Sequence, residues 1–304
     1  LLLALMVVAV ATLIGVEIWH ANQLDMARVA NQRQALQAEY YVRGLALWAA
    51  DVLREDFERD GDFDSVNDVW NQPVAGIEVP EGQLAGRLQD LSGRFNLNNL
   101  VDETGQENPQ QVAFFRRLLR RLQLDASLAD KIMDWMDPDN QPRPQGAEDL
   151  TYLARRPAYY TASAPFFHID ELQLIDGMDA NSFATLSKHV TVLPTHRARI
   201  NLNTASVALI LALDERLTPR QGLVLHQNGQ AGYRSLQGFA QHPVLAGMSL
   251  PLDQLGAVAG VSSHWFQAAS VVQLGQAEYV FYALLQRRGA LTQPVVWSPQ
   301  PFAR

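Results

Sequence analysis

The first sixteen positions, Leu1 to Val16, hold no charged residue and are apolar around the whole helical circumference. A helix on a soluble domain would keep a polar stripe, so this pattern asks for lipid or a wholly protein-lined environment. At 1.5 Å per residue the segment covers roughly 24 Å, slightly short of a hydrocarbon layer of about 30 Å. It starts at Leu1 with neither Met nor a basic flank, which predicts that a short leader and a residue or two precede it. Nothing like A-x-A followed by a turn occurs before Glu17, which argues against a cleaved signal peptide. From Glu17 the pattern turns amphipathic. Leu24, Val29, Leu36, Tyr40, Leu45, Trp48, Val52 and Phe57 recur mostly at helical intervals, with no proline before Asp60. The expectation is one helix over residues 1–60, roughly 85 Å long if unbroken. It reads either as a membrane anchor with a stalk, or as a helix that anchors first and later lines the core of a filament.

The period then changes. Gly61 to Asp68 is acidic and turn-rich, and it is followed by two extended stretches, Gly76–Val79 and the alternating Gly82–Asp90. Two longer strands are predicted at the other end, His264–Gln273 and Ala277–Leu285, joined at Gly275-Gln276. Between them, Asn96 to about Gly260 is dominated by helical patterns. The economical topology is α+β: the long helix packs on a small antiparallel sheet, and an all-helical domain is inserted between its strands. Such an insertion is tolerated because loop-closure cost grows slowly with length. The expected division is helix 1–60, first part of the sheet 61–94, helical domain 95–262, and second part of the sheet with the tail 263–304.

The helical block contains an internal repeat, about 95–195 and 200–262. Phe95-Asn96-Leu97-Asn98 returns as Ile200-Asn201-Leu202-Asn203, Leu124–Ile132 corresponds to Leu217–Val224, and Phe167–Leu172 corresponds to Tyr233–Phe239. Ser127 and Thr218 are the expected caps of the equivalent helices. Both copies read as SAM/helix-hairpin-helix-like modules.

Only the first copy carries the loop Asp134–Asp149. Asp134, Asp137, Asp139, Glu148 and Asp149 crowd five carboxylates into a proline-rich stretch whose one basic residue is Arg143. Calcium would relieve that repulsion, since it accepts six to eight oxygens in irregular geometry. Asp134 and Asp137 lie one turn apart at a helix C-terminus, whose dipole and carbonyls also favour a cation. The spacing is not that of an EF-hand. A solvated acidic loop with capping aspartates is the plain alternative, a catalytic carboxylate pair a remote one, and zinc is disfavoured because the loop has no His.

Composition narrows the remaining chemistry. The chain has 304 residues, 48% of them hydrophobic, which excludes bulk disorder. The absence of Cys rules out disulfides, thiolate catalysis and Cys-based zinc sites. A net charge of −8 opposes binding to phosphate backbones. None of His20, His168, His189, His196, His226, His242 and His264 forms H-E-x-x-H, and Ser249 lacks the second Gly of a nucleophile elbow. P-loop and G-x-G-x-x-G motifs are absent. Arg116, Arg117, Arg120 and Arg121, on one helix beside the acidic loop, are expected to form an ion-pairing face. A membrane-anchored helix-hairpin-helix DNA receptor is the alternative. Its hairpin position, however, reads Leu213-Asp214-Glu215-Arg216-Leu217, with no Gly and two carboxylates.

Taken together, the apolar helix, Ser92–Asn98, the Asp134-Trp135-Met136-Asp137-Pro138-Asp139 and Gly146-Ala147-Glu148-Asp149 motifs, Pro165–Leu172 and Ile200–Ser206 make the chain resemble the K-type minor pseudopilins of bacterial type II secretion systems. The resemblance implies a type IV pilin-like fold and no enzymatic activity, with calcium in the inserted domain. It also implies a place at the tip of a periplasmic pseudopilus, where the protein initiates or caps assembly. Partners would be the I- and J-type minor pseudopilins, the H-type and through it the major pseudopilin, and secreted proteins or the outer-membrane secretin. Leu1–Val16 would hold the protein in the inner membrane before assembly, single-pass, with the globular part in the periplasm. Pilins carry Glu at mature position five to neutralise the amine of the subunit ahead. Here Leu5 stands there, or Leu3 if two residues precede, and no carboxylate occurs before Glu17. A subunit with no neighbour ahead has no amine to neutralise.

Overall fold

The computed structural model describes residues 1–304 apart from Ser249 and Arg304, so the Ser249 motif lies outside the described residues. Helix α1 runs unbroken from Leu2 to Asp60 and stops at Gly61, whose φ of 74° lets its N–H return to the Phe57 carbonyl at 2.8 Å. Residues 1–33 are all exposed, and contact with the rest of the chain begins around Ala38. The buried stripe is Ala38, Val42, Leu45, Ala46, Ala49, Ala50 and Leu53. It differs from the expected one. Of the bulky residues read as the inner face only Leu45 is fully buried, whereas Leu36, Tyr40 and Trp48 remain 51%, 76% and 46% exposed. Four alanines of the stripe bring the helix axis close to the sheet beside Val42, Leu45 and Leu53, while several larger side chains stay exposed.

Strands β1 (Val74–Val79) and β2 (Gly82–Asp90) pair antiparallel, as their alternation predicts. The chain then leaves the sheet through β3 (Phe95–Asn96), α2 (Pro109–Arg121), α3 (Leu128–Met136), α4 (Asp149–Leu153), α5 (Ala180–Leu186) and β4 (Val190–Thr191). It continues through β5 (Ile200–Asn201), α6 (Val207–Ala212), α7 (Pro219–His226), α8 (Leu236–Ala240), α9 (Leu252–Val258) and β6 (Ala259–Gly260). It re-enters the sheet as β7 (Trp265–Leu274), β8 (Ala277–Arg288) and β9 (Leu291–Ser298), giving the order β1-β2-β7-β8-β9 among the described residues. The helical block thus lies between two neighbouring antiparallel strands, with Asp90 opposite Phe266. Strand β9 has no counterpart among the expected strands. Pro294 interrupts it beside a register irregularity, which an edge strand tolerates.

The long helix and the sheet share a core of Leu53, Leu88, Phe266 and Leu285, against which Trp70 packs edge-on to Phe266 at 5.3 Å. The block has its own core, with Phe95 stacked between Phe114 and Phe115 at 5.5 and 5.2 Å. Its two halves repeat at the level of single hydrogen bonds. Strand β3 pairs parallel with β4, and β5 pairs parallel with β6. The Asn98 amide grips Phe166, accepting from its N–H at 2.9 Å and donating to its carbonyl at 3.0 Å. Asn203 does the same to Tyr233, at 2.8 and 3.1 Å. The counterpart of Tyr233 is therefore buried Phe166, and the expected Phe167 is 76% exposed. Thr218 forms a capping box with Gln221, as expected. Ser127 makes no cap bond, because its hydroxyl and N–H both go to Asp125.

Candidate metal centre

Helix α3 ends where Pro138 forces the preceding residue out of the helical region, so Asp137 is extended at φ −76° and ψ 158°. Its carboxylate stays beside Asp134, on the last turn. The chain then loops out and returns through Gly146 to Glu148, which precedes α4. The return passes so close to the Asp134 carboxylate that a Cβ at position 146 would overlap it. Asp134, Asp137 and Glu148, 0%, 1% and 5% exposed, each place one oxygen within 4.8 Å of the others. That spread is about twice a calcium–oxygen distance of 2.4 Å.

Arg143 faces this trio. Its guanidinium donates to Asp134 Oδ1 at 2.7 Å and to Asp137 Oδ2, and its backbone N–H donates to Asp134 Oδ2 at 3.2 Å. One positive charge thus meets three carboxylates. Both oxygens of Glu148 and Oδ1 of Asp137 are buried with no hydrogen-bond partner. Burial, followed by the charges of Asp134, Asp137, Asp139 and Asp149, raises the Glu148 carboxyl to about 7. Burial also raises Asp134 and Asp137, against the opposing pull of Arg143. Orphaned anionic oxygens in a water-poor pocket form a hard donor set that fits calcium.

Two of the five expected ligands stand outside the trio. Asp139 is exposed beyond Pro138, and its carboxylate accepts the Gln141 N–H at 2.8 Å. Asp149 is turned to Thr161, accepting its N–H at 2.9 Å and its hydroxyl at 2.8 Å, bonds that lower its pKa. Both contribute charge at Glu148 without joining the cluster. Arg143 and Gly146 belong to the centre as surely as the acids do. The only sequence signal for them was the single base and the glycine inside the acidic loop.

The expected ion-pairing face on α2 holds for two of its four arginines, and the other two donate to backbone carbonyls. Arg116 reaches Asp130 at 2.5 Å, Arg120 pairs with Glu215, and Arg117 donates to the Ala212 carbonyl at 2.6 Å. Arg121 donates to the carbonyls of Asp214, Glu215 and Leu217 at 3.2, 2.9 and 2.8 Å. The first repeat thereby clamps the α6–α7 hairpin of the second, the position at which a DNA-binding module would meet phosphate.

Residues 93–195 match the family model described as type II secretion system (T2SS), protein K. The type II secretion system protein K of Pseudomonas aeruginosa is 34% identical over 303 aligned residues, which cover 94% of this chain and 87% of that protein. The chain belongs to the type II secretion system protein K family. Its relative from Aeromonas hydrophila is 29% identical, covering 90% of this chain and 88% of the relative. The GspK-GspI-GspJ complex from the type 2 secretion system of enterotoxigenic Escherichia coli contains a similar chain. It is 27% identical with a TM-score of 0.78, covering 89% of this chain and 98% of that one. Family members are components of a secretion machine, and this one shares the α+β fold of its structural neighbour: long helix, antiparallel sheet and helical block.

Proposed function

We propose that this family member is a non-enzymatic minor pseudopilin that sits at the tip of the pseudopilus and initiates or caps its assembly for protein export. The observation that carries this reading is the state of α1. Its apolar first half is long enough to cross a membrane and makes no contact with its own chain. Lower down, Leu36, Tyr40, Leu47 and Trp48 stay exposed along the part of the helix that packs on the sheet. Apolar surface of that extent is covered in a working protein, first by inner-membrane lipid and then by the helices of neighbouring subunits. The neighbour's occurrence with GspI and GspJ supports partners of those types, with the H-type and the major pseudopilin behind them. The block at 95–262 acts as a separate domain facing the periplasm, toward exported proteins or the secretin. Its acidic centre takes calcium through Asp134, Asp137 and Glu148, with Asp139 and Asp149 adding to the field.

Co-expression with the I- and J-type pseudopilins of the same bacterium tests the reading. The full chain in mild detergent should co-purify with both in fixed ratio. Purification of each protein by itself, at concentrations where all three are folded, would overturn it.

A further inference from the structure

A second acidic cluster lies outside the helical block, where the end of α1, the sheet and the block meet. Asp56 is on the last turns of α1, and Asp64 and Asp68 follow in the loop after Gly61. They are 2%, 0% and 9% exposed, and one oxygen of each lies within 4.8 Å of the others. One buried base reaches two of them. Arg287 of β8, 1% exposed, pairs with Asp64 Oδ2, donates to the Ser263 carbonyl at 2.7 Å, and keeps its other terminal nitrogen 3.8 Å from Asp56 Oδ2. The rings of Phe57 and Phe266, with centroids 5.8 and 5.2 Å from the guanidinium carbon, hold it in place. Arg59 reaches Asp56 Oδ1 from the rim at 2.7 Å. Asp68 accepts from the Ser65 N–H at 2.7 Å and hydroxyl at 2.9 Å, and from Trp70 Nε1 at 3.3 Å.

After these contacts Asp56 Oδ2, with only the long ion pair to Arg287 Nη1, and Asp64 Oδ1 are still buried without a hydrogen bond. Three carboxylates meet the buried Arg287 and the rim Arg59, which leaves one negative charge in excess inside the junction. Leaving such oxygens bare in the interior is costly, and a divalent ion offsets that cost. We propose that Asp56, Asp64 and Asp68 form a second divalent-cation site, of calcium chemistry, joining the end of α1 to the loop on which the helical block is seated. The seat is direct, because Asn201 and Asn203 of the second repeat donate to the Asp64 carbonyl at 3.1 and 3.0 Å.

Trp70 donates to Asp68, so a terbium ion at the junction would be excited through that ring. Calcium calorimetry on the full chain in detergent should count two ions per molecule, and Asp56→Asn should reduce the count to one. Terbium emission should persist in Trp135→Phe and fall severalfold when Trp70→Phe is added. A count of one ion that disappears with Glu148→Gln would overturn the proposal. Absence of sensitised emission from Trp135→Phe would do so even if Asp56→Asn does not fold.

Discussion

Replacing Glu148 with Gln isolates the electrostatic cost of the acidic centre. The carboxyl stands at about 7 in the folded chain against an ordinary 4.5. Its ionised form is therefore penalised by about 3 kcal/mol. The sign follows from proton counting. Between 4.5 and 7 the folded state holds a proton that the unfolded state has released, so stability falls as pH rises through this window. Below it the group contributes nothing; above it the full penalty applies. Calcium requires the ionised form and offsets the penalty, and at a hundredfold excess over Kd it adds about 2.7 kcal/mol. Glutamine keeps the shape and removes the charge. Thermal melts followed by circular dichroism at pH 5 and pH 8, with chelator or with millimolar calcium, read the difference. Chelated wild type should lose roughly 5–10 °C more than Glu148→Gln between the two pH values, at about 2–4 °C per kcal/mol. The calcium-induced rise at pH 8 should shrink in the variant. Equal pH dependence in the two proteins, or equal calcium shifts, would refute the reasoning.

Three further outcomes follow from particular contacts. Gly146→Ala places a methyl against the Asp134 carboxylate and should weaken calcium binding at least tenfold by calorimetry while the metal-free protein stays folded. Asn98→Ala and Asn203→Ala each strip partners from a buried backbone grip and should cost a similar amount, about 2–4 kcal/mol in urea titrations, if the repeats are equivalent. Leu36→Asp with Leu47→Asp changes two residues of α1 that are 51% and 62% exposed, so the melt should move by less than about 0.5 kcal/mol while co-purification with the I- and J-type partners is lost.

What the sequence disclosed depended on whether the signal was local. The extent of α1 was legible because an unbroken apolar and amphipathic run ends at Gly61, and β2, β7 and β8 were legible through alternation and the Gly275 turn. The repeat showed itself through two N-L-N motifs, since the same side-chain grip selects the same asparagine twice. The buried face of α1 was misassigned for an instructive reason. Leu45 lies in a core with the sheet and Val52 packs on one, but Leu36, Tyr40 and Trp48 stay exposed, and helical spacing alone does not separate the two groups. Asp139 and Asp149 were included because sequence nearness cannot show that one side chain is turned outward and the other is held by Thr161. The junction cluster escaped notice altogether. Its acids are split between a helix end and a loop, and its arginine arrives on a strand from the far end of the chain.

The placement of the helical block between adjacent strands bears on how the chain reaches its native state. Asp90 and Phe266 are partners in one ladder, and the Leu91 N–H meets the Trp265 carbonyl at 2.9 Å, so the block's entry and exit stand side by side. In an unfolded chain, bringing β2 and β7 together closes a very long loop. With the block already folded, the gap behaves as a turn of a few residues, which lowers the closure cost by about 3 kcal/mol. Folding is thus favoured in one order, block first and sheet second. The platform on which α1 rests is completed only by a chain whose inserted domain has already been built.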